Sequence, residues 1–160
     1  GGEEEGQRLD AAYQGTRSVL KDIEVENITV EEPAENQVRL NIPPYAEEGQ
    51  MVRDELYSEL RRTLGTARFA RFLQVAEEGL DQQFEYFGDV DRTLRFEAVP
   101  DAVTGFAQLF VRDERVVPHK DDPLRQDIIA SERVVTELPA EYEAYRPWLP
   151  ESVMRFARND

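Results

Sequence analysis

Residues 47–80 read EEGQMVRDELYSELRRTLGTARFARFLQVAEEGL, and this stretch decides the fold class. Val52, Leu56, Leu60 and Leu64 recur every four residues, and Tyr57 widens the stripe. Glu47 and Glu48 stand in the first turn, where the helix dipole favours acids. The spacing predicts a helix over about 47–64. Gly65 is expected to stop it as a left-handed cap, and Thr66 to cap a second helix with Phe69, Phe72, Leu73, Ala76 and Leu80 on one face. Two helices joined this tightly form a hairpin. Past Gly79 the pattern serves two periods: Leu80, Phe84 and Phe87 extend the helical stripe, whereas Phe84 and Tyr86 alternate as in a strand. We read helix over 80–87, with Gly88 as its stop.

Upstream, residues 8–22 set Leu9, Tyr13, Thr16 and Leu20 on one helical stripe with Ala12 and Val19 beside it, and Gly15 weakens that helix without forbidding it. From Asp22 the period changes. Ile23 and Val25 alternate with acids, and Ile28 and Val30 continue on the opposite parity, so a strand here needs a bulge at Glu26-Asn27. After a turn over 31–36, Val38, Leu40 and Ile42 alternate with polar residues until Pro43-Pro44 ends the strand.

Downstream, Leu94, Phe96 and Ala98 alternate with Arg95 and Glu97, the pattern of a half-buried antiparallel strand. Residues 105–112 are apolar on both faces and suit a central strand, and 118–123 form a polar loop. Ile128 to Val135 is a further strand, stopped by Leu138-Pro139. Short tail helices are expected over 140–145 and 151–157. Helix, strands, helix pair, strands is the order of an α+β protein rather than of a strictly alternating parallel sheet. The expected architecture is one α+β domain over 8–160. Its antiparallel sheet of about five strands packs against the central helix pair and is followed by a short helical tail. Residues 1–7, with Glu3-Glu4-Glu5, read as an acidic flexible leader or a cloning remnant.

The 160 residues carry 34 Asp and Glu against 19 Lys and Arg, a formal charge of −15. Nucleic acid is itself a polyanion bound through displaced counterions, so direct DNA or RNA binding starts with the wrong sign. No apolar run approaches the ~20 residues needed to cross a bilayer, so no membrane insertion is expected from these residues. Zero Cys removes disulfides, thiolate metal sites and thiol nucleophiles. No metal site, cofactor or catalytic residue is assigned from the sequence. A polar, acidic start is the linker expected behind a trimmed signal peptide or anchor. The reading therefore includes an extracytoplasmic part of a larger or membrane-anchored protein.

Candidate chemistry is sparse. His119, the sole imidazole, lies in Pro118-His119-Lys120-Asp121-Asp122. With no serine in a nucleophile-elbow setting, it reads as a residue of a solvated loop. Asp89-Val90-Asp91 opens like a calcium loop, but Leu94 and Pro100 stand where Gly and Glu are required, so it reads as a turn. Tyr142, Tyr145, Trp148 and Phe156 suit a tail docked over a sheet edge or core opening, or a protein contact.

The local feature that runs against the global charge is Arg61, Arg62, Arg68 and Arg71, an acid-free cationic stretch around Gly65-Thr66 where a helix start also offers N–H groups. These four are the candidate anion- or partner-binding residues. Pairing with neighbouring acids, Glu59 among them, is the competing role. The function expected is a non-enzymatic interaction or regulatory domain with a protein partner. The alternative is a small carboxylate-based hydrolase acting on a sugar or similar neutral polymer, which needs two acids converging across a cleft.

Overall fold

The four-residue stripe of residues 52–64 is realised in the computed structural model, which describes residues 1–155, as the inner face of a helix. That helix, α2 (Ala46–Leu64), follows α1 (Gly2–Asn27) and precedes α3 (Thr66–Gln83). Five strands, β1 (Thr29–Glu31), β2 (Gln37–Ile42), β3 (Asp91–Pro100), β4 (Ala107–Pro118) and β5 (Gln126–Val135), form one sheet in chain order with every neighbour antiparallel. The fold is α+β. Contacts divide the chain into two compact units: Gly1–Glu26 with Pro44–Val90, and Asn27–Pro43 with the chain from Asp91 onward.

The helical unit corrects the reading of its first residues. The expected strand over 23–30 is the end of α1, and only Thr29–Glu31 is extended. Ile23 and Val25 are too few to separate a period of two from one of 3.6. The helix buries Thr16, Leu20 and Glu24 at four-residue spacing, and this tertiary burial overrides the β-branched preference. The parity change at Glu26-Asn27 marks a helix end instead of a bulge. Residues 2–7, read as a leader, are the opening turns of α1, with the Glu5 N–H donating to the Gly1 carbonyl at 3.1 Å.

Leu56 and Leu60 of α2 and Phe69 and Leu80 of α3 are buried. Each such side chain contributes about 1.5–3 kcal/mol by leaving water. Gly65 does separate the two helices, but at φ 83° and ψ 158°, an extended positive-φ conformation rather than the left-handed cap expected. That region belongs essentially to glycine. Its N–H donates to the Arg61 carbonyl at 2.8 Å and its carbonyl accepts the Phe69 N–H at 3.0 Å, so one residue closes α2 and opens α3. Thr66 makes no cap; it lies inside α3.

Helix α3 ends at Gln83, short of the Phe87 end read from the sequence. Glu85, Tyr86, Phe87 and Gly88 follow with φ of 53°, 52°, 47° and 82°, a single left-handed turn. Each non-glycine residue there costs roughly 1–2 kcal/mol. The cost is offset by burial of Phe84 and Phe87, whose rings lie 5.7 Å apart. Tyr57 meets Phe87 edge-on at 6.3 Å, and the Tyr45 N–H donates to the Gly88 carbonyl at 2.9 Å.

In the sheet unit, Val38, Leu40, Ile42, Leu94, Phe96, Leu109 and Val111 point to the buried face, as alternation predicts. The tail forms a 3-10 helix over Ala140–Trp148. It sets Tyr142 edge-on to Phe96 at 5.6 Å, so docking is the role Tyr142 and Tyr145 take. The helix expected over 151–157 is a turn followed by a short 3-10 segment at 154–155, with the Val153 and Met154 N–H groups donating to the Pro150 carbonyl. Its last positions, Phe156 included, lie outside the described residues. Among the described residues no helix is long and apolar enough to cross a membrane.

Candidate functional site

Helices present small side chains where backbones must leave room between them. On α1 these are Ala11, Ala12 and Gly15, and they face Met51, Val52 and Leu56 of α2 across an open groove of about 400 Å³. Thr16 lies in its floor, but the hydroxyl donates back to the Ala12 carbonyl at 2.8 Å, so the floor is apolar in effect. Val19 and Met51 form the rims and are 46% and 73% exposed. The polar lining on the α2 side is Glu55 and Glu59. Glu59 accepts Arg62 at 2.9 Å and Arg8 of α1 at 3.5 Å, an ion pair that ties the two helices. Helix α1 is also held to α3 by the Glu5–Arg68 fork at 2.6 and 3.1 Å, and to the residue that follows α3 by the edge-on Tyr13–Phe84 contact at 5.5 Å.

The four arginines singled out from the sequence all lie on α2 and α3, and most of their charge is engaged. Arg62 pairs with Glu59 and, at 4.0 Å, with Glu55. Arg68 takes Glu5, an acid from the far end of the sequence, and Arg61 stacks 5.1 Å over Phe69. Arg71 is exposed and has no carboxylate partner among the described residues.

His119 closes the β4–β5 hairpin. Its Nδ1 sits 2.8 Å from the Asp127 carboxylate, and the His119 backbone N–H donates to the Arg125 carbonyl at 3.0 Å. The ring is thus a half-buried partner rather than a fully solvated one, and no hydroxyl bonds to it among the described residues. Asp89 and Asp91 flank Val90 between the left-handed turn and β3, the linking turn expected. No group of three or more His, Asp or Glu side chains able to hold a metal ion is found among the described residues.

A buried charge cluster went unread in the sequence. Arg92 of β3 donates through Nε and Nη2 to the two oxygens of Asp113 on β4, at 3.1 and 2.8 Å, and through Nη1 to the Tyr145 hydroxyl at 2.9 Å. The Tyr142 hydroxyl donates to Asp113 at 2.8 Å, and Arg115 approaches it at 3.1 Å. Burial by itself would raise the Asp113 carboxyl. The Arg92 hydrogen bonds and charge, with Arg115 and Tyr142, outweigh it and hold the group below its ordinary value. Burial, then the Asp113 charge and hydrogen bond, push the Tyr142 phenol up to about 12. The signal was available: Arg92 and Asp113, with Arg115, are charged residues on the inward parity that Leu94, Phe96 and Ala98 hold on β3 and Leu109, Val111 and Val117 hold on β4.

Chemically, the groove offers apolar contact with a carboxylate rim, whereas the Arg92–Asp113 cluster is saturated by its own members. The chain matches no protein-family model, no curated protein and no solved structure at significant similarity.

Proposed function

We propose that the chain is a non-enzymatic interaction module that receives an amphipathic, basic helix of a partner protein between α1 and α2. The observation that carries this reading is the groove itself: open, apolar along its floor, flanked by Met51 and Val19, and edged by Glu55 and Glu59. Grooves of this kind take the apolar face of a helix through residues spaced three and four apart. Carboxylates outnumber cations on both α1 and α2, so a partner with Lys or Arg beside its apolar stripe is favoured in encounter and orientation. Exposed Met side chains adapt to varied apolar partners.

The carboxylates weigh against the hydrolase alternative. Glu55 and Glu59 stand on one helix and do not converge across the groove, Glu59 is engaged by two arginines, and Asp113 is held ionised and buried.

Gly15 supplies the test, because a Cβ added there meets nothing within 4 Å. A synthetic Leu/Lys amphipathic helix is titrated calorimetrically into the parent and into Gly15→Leu, with a Leu/Glu helix of the same pattern as control. The parent binds the Leu/Lys helix, the Gly15→Leu chain binds it at least about tenfold more weakly (a loss of 1.4 kcal/mol) with an unchanged or raised Tm, and the Leu/Glu helix binds neither. Equal binding by parent and Gly15→Leu overturns the reading.

A further inference from the structure

The two edges of the sheet are treated differently. β1 is three residues long and is followed by Glu32-Pro33, the short, charged and proline-flanked form that blunts an edge. β5 is ten residues long, pairs with β4 in an unbroken register from Pro118–Gln126 to Leu109–Val135, and contains neither Pro nor Lys. Among the described residues its other edge carries no strand. Along it Ile128, Ile129 and Val134 are 67%, 46% and 53% exposed, so the described tail does not cover it. A long, regular edge that exposes Ile128, Ile129 and Val134 between its charged residues Asp127, Glu132 and Arg133 is a template for a further strand.

We propose that this strand is the β5 of a second copy of the chain, paired antiparallel about a twofold axis through Ser131, so that the two sheets become one.

The register follows from the geometry of antiparallel pairing. Residues opposite one another must both turn their backbone groups towards the partner or both turn them away, so paired residue numbers add to an even total about the axis. Three central registers are then available. An axis at Glu132 sets that carboxylate against its own copy, and like charges directly opposite destabilise a pair. An axis at Ala130 sets Ile128 against Glu132. The axis at Ser131 sets Ile128 against Val134 of the second copy, twice by symmetry, and opposes no like charges. It also lengthens an apolar row. Ile128 already faces Val116, and Val134 already faces Phe110, on β4. Val116 and Ile128 of one copy therefore continue into Val134 and Phe110 of the other along one face of the joined sheet. Isologous pairing of this kind closes on itself and leaves β1 at both outer edges.

The absence of Cys makes the test direct. Ser131→Cys places two thiols on the axis, where directly opposed residues have Cα atoms about 4.5–5.5 Å apart, within the range a disulfide spans. Under mild oxidation Ser131→Cys gives a covalent dimer, whereas Ala130→Cys and Glu132→Cys, each opposed to a different residue, do so far more slowly. In sedimentation equilibrium the parent is a dimer at micromolar concentration, and Ile128→Lys and Val134→Lys each weaken it by at least about tenfold. These side chains are exposed in one copy, so unchanged far-UV circular dichroism confirms that each variant folds. Should either variant unfold, the cross-linking result decides by itself. A parent that is monomeric up to millimolar concentration, or cross-linking fastest at 130 or 132, overturns the proposal.

Discussion

Arg92 and Asp113 do not stand opposite one another in the sheet: Arg92 faces Arg115 and Asp113 faces Leu94, yet the guanidinium reaches diagonally to both carboxylate oxygens. The diagonal places one anion between Arg92 and Arg115, so the like charges of that cross-strand pair are bridged instead of opposed. Both partners are nearly inaccessible to water. Breaking such a pair from one side leaves a buried charge, at a cost of about 3–5 kcal/mol. Asp113→Ala is expected to lower stability to urea by that amount. Arg92→Gln with Asp113→Asn is expected to lose less than the sum of the single variants, by about 0.5–3 kcal/mol. Additive losses in a double-mutant cycle would show that the two groups do not act as a pair.

The same pair sets an acid limit. The Asp113 carboxyl is held below its ordinary value in the folded state and titrates near about 3.9 when unfolded. The ionised pair therefore stabilises fully above that value, and its contribution is lost as pH falls through the folded value. The stability gap between the parent and Asp113→Asn should narrow as pH is lowered below about 4. A gap that stays constant down to pH 2 contradicts the assignment.

Tyr142 acts at the other end of the scale. Its phenol is pushed up to about 12 in the folded chain, against about 10 when unfolded. The neutral form is thus the stabilising one, in full below pH 10, and its contribution fades as pH rises from 10 towards 12. Tyr142→Phe should cost about 1.5–3 kcal/mol at neutral pH, the worth of a hydrogen bond to a charged acceptor, with the difference from the parent shrinking above pH 10. In a spectrophotometric titration the tyrosinate absorbance lost in Tyr142→Phe should come from the most alkaline part of the curve.

Glycines separate by what surrounds them. A Cβ on Gly49 would lie 1.6 Å from the Phe87 carbonyl oxygen, and one on Gly88, at φ 82°, would lie 2.5 Å from the Tyr45 ring. Gly49→Ala and Gly88→Ala should each lower the Tm markedly by forcing the left-handed turn away from α2. Gly79→Ala meets open space inside α3 and should raise stability by about 0.8–1 kcal/mol through helix propensity alone. Thermal melts that order the three variants otherwise would refute this account of the turn.

For the arginines around Gly65, anion response should depend on Glu5. At constant ionic strength, sulfate should raise the Tm of Glu5→Gln more than that of the parent, because Arg68 is then released beside Arg71. Equal shifts in the two chains would mean that Glu5 does not occupy Arg68 in solution.

The helix pair was legible because Val52, Leu56, Leu60 and Leu64 repeat with one period over about three turns, and the sheet because Val38, Leu40 and Ile42, like Leu94, Phe96 and Ala98, alternate without interruption. Ile23 and Val25 misled because two residues define no period. Phe84, Tyr86 and Phe87 were ambiguous because a left-handed turn has no sequence period of its own. The arginine stretch was visible as a local absence of acids, but Glu5, which engages Arg68, lies 63 residues away and is silent in any local window. The groove left still less trace: Ala11, Gly15 and Met51 are unremarkable until α1 and α2 are set side by side.

What the sequence by itself determined is therefore the α+β class and the type of most long elements, since burial of one face imposes a period that can be read residue by residue. What only the tertiary structure decided is where charge and open surface end up. Arg92 meets Asp113 diagonally, Glu5 closes on Arg68, and β5 keeps an edge free, because these depend on distances between segments remote in the chain, which no local pattern encodes.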